Sequence, residues 1–115
     1  MVQKKEFMLV FRYEPSAEYQ PTEAEMSEQH QQWGAFIGGL AMQEKLVSTH
    51  QLSFEGNQVF ADKTVASGFH LADKQIVGGN MIVVAQSLDA ATEIAKNCPI
   101  LAVGGSVEVR EISPM

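Results

Sequence analysis

The chain has 115 residues, room for one domain of ordinary size and too little for two, so residues 1–115 read as a single unit. Hydrophobic residues make up 45% and charged residues 19%, which calls for a packed core and excludes an intrinsically disordered chain. Fourteen acidic against eight basic residues give a net charge of −6, which argues against a nucleic-acid phosphate footprint and against an anionic membrane surface as partner.

The sole cysteine, Cys98, has no internal disulfide partner, which suits a reducing compartment and makes the cytoplasm the default expectation. Lys4 and Lys5 precede an apolar run, Phe7 to Phe11, that is too short for a signal-peptide core or a membrane span. Residues 6–13 (EFMLVFRY) read as a strand, ended by the turn signal Glu14-Pro15. Phe7, Leu9, Phe11 and Tyr13 occupy one face, and Met8, Val10 and Arg12 the other. Two apolar faces imply a sheet covered on both sides. Pro21-Thr22 opens a long helix, with Thr22 and Glu25 at the capping-box spacing. Met26, His30, Trp33, Ile37, Leu40 and Ala41 share one side, while Glu23, Glu28, Gln32 and Gln43 fall away from it, and the pattern runs to about Leu46. Gly34, Gly38 and Gly39 lie inside this helix, each at a cost of about 1 kcal/mol relative to alanine. Close approach of a backbone is the expected reason, with a kink as the alternative.

Residues 46–60 contain short alternating pieces around Glu55-Gly56-Asn57, a hairpin or an extended loop. A further strand is expected at 64–70 (TVASGFH), and a stronger one at 80–86 (NMIVVAQ) after Gly78-Gly79. Ser87 caps a second helix that runs to about Asn97, with Asp89 in its first turn. The last strand spans Ser106 to Ile112 (SVEVREI). The order of strand, helix, strands, helix, strand fits a ferredoxin-like α+β fold, an antiparallel sheet with two helices on one face. The apolar second face of the strands at 7–13 and 81–85 then calls for a second copy of the chain, so a homodimer is expected.

Four stretches carry a family likeness: FMLVFRYE at 7–14; HQQWGAFIGGL at 30–40 leading into Lys45-Leu46-Val47; Lys74 followed by Gly78-Gly79; and NCPILAVGGSVEVREI at 97–112. Together they resemble the YCII-related family, and within it the DGPF-type branch. The resemblance implies a dimeric α+β barrel, two ferredoxin-like sheets packed face to face around an enclosed pocket. Where the branch has Asp-Gly-Pro-Phe, the register from Lys74 and Gly78 places Ser67-Gly68-Phe69-His70, and only the glycine matches. A catalytic role for the signature acid therefore does not carry over to Ser67. The branch also usually has glycine before the Lys-Leu that ends the first helix, where this chain has Glu44. Among family relatives is a dehydrochlorinase acting on a chlorinated aromatic, while most members like this one have no assigned reaction. Membership thus implies a fold more than a function.

His30, on the apolar side of the first helix, is the candidate general acid or base. Its plainer reading is a half-buried histidine bonded to backbone. His70 stands in the place of the signature aromatic and either lines a pocket or points to solvent; His50 reads as a surface residue. Phe11 and Trp33, with Ser67 and His70, are the candidate ligand-binding residues, while Phe11, Trp33, Phe36, Met8 and Met81 read equally as plain core. Histidines at 30, 50 and 70 lack short ligand spacing, so no metal is expected. Cys98, at the negative end of a helix dipole, reads as a buried structural thiol. The glycine pairs 38-39, 78-79 and 104-105 match no phosphate-binding pattern, and no cofactor is expected. The resulting expectation is a homodimer that binds a small apolar or aromatic metabolite in a pocket between sheet and helix, without a complete catalytic set. The alternative is an enzyme using His30 as general acid or base on a small aromatic or lactone-like substrate.

Overall fold

The computed structural model describes residues 5–14, 22–53, 55–71 and 74–113. Pro15 and Pro21, halves of two of the turn signals above, lie outside the described residues. In chain order the elements are β1 (Lys5–Tyr13), α1 (Glu23–Met42), β2 (Leu46–Gln51), β3 (Asn57–Val59), β4 (Val65–Ser67), β5 (Ile76–Ala85), α2 (Leu88–Ala95), a 3-10 turn (Pro99–Val103) and β6 (Ser106–Glu111). The main sheet has the order β2-β5-β1-β6 with antiparallel neighbours throughout, and β3 pairs with β4 as a separate ribbon. This is the expected ferredoxin-like α+β arrangement. Among the described residues no helix is long and apolar enough to cross a membrane.

Register assigns the two faces. Leu9 lies opposite Met81 on one side and Val109 on the other, and Phe7 opposite Val83, so the odd-numbered residues of β1 share a face with Met81, Val83 and Ala85. Leu40 of α1 and Ala91 and Ala95 of α2 join that face, which is the core. Phe7, Leu9, Met81 and Val83 are fully buried there, each contributing about 1.5–3 kcal/mol over an exposed position. The opposite face carries Met8, Val10, Ile82 and Val84, half-buried by one another and uncovered by either helix. Arg12 pairs with Glu108 at 3.2 Å along its β6 border, with Arg110 3.8 Å from the same carboxylate.

Both helices start as their sequences dictate. Thr22 Oγ1 accepts the Glu25 amide at 3.1 Å, and Ser87 Oγ accepts that of Ala90 at 3.2 Å, each satisfying an orphan donor of the first turn. The first helix stops earlier than its pattern suggests, at Met42, because Glu44 takes a left-handed conformation (φ 59°) that turns the chain into β2. β5 begins earlier than expected, at Ile76, so Gly78 and Gly79 sit inside the strand instead of introducing it. A Cβ on Gly79 would lie 2.5 Å from the His50 carbonyl oxygen of the neighbouring strand, and one on Gly78 would run into the Tyr13 ring. The helical glycines differ from expectation: a Cβ at Gly34, Gly38 or Gly39 meets nothing within 4 Å. Close backbone approach within the chain is not their reason.

Candidate functional site

The apolar stripe of α1 passes from core to solvent along its length. Leu40 is buried, Ile37, Phe36 and Trp33 are half-buried, and His30 and Met26 are exposed. The α1 residues packed against the core lie from Trp33 onward, so among the described residues nothing covers the stripe on the first two turns. Trp33 sits at the transition, edge-on to Phe11 (centroids 5.3 Å apart, planes at 66°) and to Phe36 (6.2 Å, 77°). Such edge-to-face pairs contribute about 0.5–1.5 kcal/mol beyond area burial and hold the indole in one orientation.

His30 lines a groove of about 430 Å3 with Glu23, Met26, Ser27 and Gln31. All five belong to α1, and among the described residues no other element lines the groove. An imidazole, a carboxylate, a thioether and two small polar groups face the same space, a set able to bind a planar apolar ligand by one edge. The structure brings Phe11 and Trp33 together, but Phe11 is 6% exposed and belongs to the core, and neither ring lines the His30 groove. An enclosed pocket bordered by His30 and these rings is not formed by the described residues of a single chain.

The remaining candidates lie elsewhere. Ser67 ends β4, exposed and paired with Asn57, and His70 is exposed beyond the ribbon. Gly68 has φ 99° and open space around it, so it serves a left-handed turn. His50 is exposed on β2, where it lies opposite Asn80 on the uncovered sheet face. Cys98 is buried, and desolvation pushes its thiol up to about 11, the setting of an inert structural cysteine. Among the described residues no three His, Cys, Asp or Glu side chains converge as a metal site.

A second groove, of about 470 Å3, escaped the reading of the sequence. It runs between α1 and α2, floored by Phe36, Leu40, Ala90 and Ile94 and rimmed by Lys45 and Glu93. Its signal was present in the small residues Ala35, Gly39 and Ala90, which leave space where two helices face each other. Glu93 is held by Lys96 at 2.8 Å, so the rim carboxylate is already paired.

A family model described as the YCII-related domain matches residues 2–115. No curated protein matches the chain.

Proposed function

The chain belongs to the YCII-related family, and from that premise we propose that it works as a homodimer binding a small apolar or aromatic metabolite against α1, with His30 as the polar determinant. The observation that carries this reading is the groove of His30, which continues the Trp33 stripe and is lined by α1 alone among the described residues. The uncovered sheet face supports a second copy as partner, for its centre is apolar and its charges, Glu6 and Glu108 against Arg12 and Arg110, balance on a chain of net charge −6. A face that is locally neutral can meet its own copy without the repulsion that the whole-chain charge would impose.

Catalysis is the second reading, favoured by one observation: Glu23 lines the same groove as His30. A carboxylate therefore stands in the groove although the signature acid is replaced by Ser67, and His30 would be the general acid or base. A fluorescent planar probe, 1-naphthol, tests the binding reading on the full-length protein. Saturable binding is expected, weakened roughly tenfold by His30→Ala through loss of an edge hydrogen bond, with the unfolding midpoint unchanged because His30 is exposed. Equal affinity in the variant, or no saturable binding in either protein, contradicts it.

A further inference from the structure

We propose that the groove between α1 and α2 binds a small aliphatic monocarboxylate, with the hydrocarbon chain on the apolar floor and the carboxylate at Lys45. This site is separate from the His30 groove, and the two share no lining residue.

Two helices on one face of a sheet ordinarily close on each other, with axes about 8–10 Å apart. Here, among the described residues, no Cα of α1 lies within 8 Å of a Cα of α2. Bulk does not hold them apart, since Ala35, Gly39 and Ala90 line the gap and a Cβ on Gly39 would meet nothing within 4 Å. Gly39 weakens the helix by about 1 kcal/mol relative to alanine and leaves open space where a side chain would stand. Below that space Leu40 is buried and Phe36, Ala90 and Ile94 are half-buried. The result is an apolar floor under about 470 Å3, within the size range of small-molecule sites.

Charge selects the class of ligand. Lys45 and Glu93 are the charged residues that line the groove among the described ones. The Glu93 carboxylate is taken by Lys96 at 2.8 Å, whereas the Lys45 ammonium has no carboxylate within salt-bridge distance among the described residues. Lys45 is half-buried and its backbone is fixed on both sides: its amide donates to the Leu40 carbonyl at 2.9 Å, and its carbonyl accepts the Val84 amide at 2.8 Å. A fixed lysine beside an apolar floor is the complement of a hydrocarbon chain ending in an anion. The net charge of −6 does not cancel this attraction, because at physiological salt charges beyond about 8 Å are screened.

Length points to a small molecule. α1 lines the groove from Ala35 to Gln43, about 12 Å of helix. A stable contact with a partner protein takes roughly 1,200 Å2 or more, far above what so short a groove provides.

NMR titration of the 15N-labelled full-length protein tests the site, with sodium octanoate and its neutral counterpart octanamide as probes. Octanoate should shift the amides of Gly39, Ala90 and Ile94 saturably and bind roughly tenfold more tightly than octanamide. Lys45→Met keeps an apolar stem without the charge, and should weaken octanoate to the level of octanamide. Gly39→Leu should stop both probes from binding by filling the gap, with an unchanged circular dichroism spectrum, since leucine favours a helix more than glycine does. A retained preference for octanoate in Lys45→Met, undiminished binding in Gly39→Leu, or no saturable shift of these amides in the wild type overturns the site. Shifts confined to Met26–Gln31 would put the probe in the His30 groove and overturn it equally.

Discussion

Glu44 is a non-glycine residue at φ 59°, placed where α1 must stop within one residue and hand the chain to β2. For an L-residue that conformation costs about 1–2 kcal/mol, which glycine avoids while losing more backbone freedom on folding. Glu44→Gly should therefore raise the unfolding free energy by up to about 1 kcal/mol, read as a higher urea midpoint with an unchanged slope. A lowered midpoint would mean that the glutamate side chain contributes more than its backbone costs.

At the scale of elements, glycines with the same composition signal have opposite roles. On α1 a side chain at Gly38 meets nothing within 4 Å, whereas within β5 a Cβ at Gly79 would meet the His50 carbonyl oxygen of the adjacent strand. Gly38→Ala should stabilise by about 1 kcal/mol through helix propensity. Gly79→Ala should destabilise by about 1–3 kcal/mol, because the obstacle is backbone of a paired strand and cannot rotate away. Thermal melts of the two variants at one protein concentration check both signs. A destabilising Gly38→Ala would show that a surface outside the chain seats on this part of α1.

At the scale of the whole molecule, the described residues leave the sheet covered on one face, α1 packed on the core by its C-terminal half, and the β3–β4 ribbon paired with itself. If the second copy supplies the missing cover, folding and association are linked by mass action. The melting temperature should then rise with protein concentration across the micromolar range, and a concentration-independent melt would separate stability from assembly.

Local chemistry determined much of this protein from the sequence alone. Runs of apolar, aromatic and β-branched residues place β1 and most of β5, alternation places β6, and the side-chain oxygens of Thr22 and Ser87 place both helix starts, because each signal acts within a few residues of the backbone it shapes. The two-faced apolarity of Met8, Val10, Ile82 and Val84 likewise announced a sheet face that the chain's own helices do not cover. Other features depended on residues distant in sequence. The first helix ends at Met42, where no glycine or proline marks the stop and Glu44 takes the left-handed turn, and Gly78-Gly79 lies inside β5, where Tyr13 and His50 approach it from neighbouring strands. The site was the least legible part. Helical spacing put Met26, His30 and Trp33 on one side of α1, but only tertiary packing decided that Trp33 meets Phe11 while His30 stays exposed on a groove. Periodicity records which side of an element is apolar, and where along that element the core ends is set by the positions of its neighbours in space.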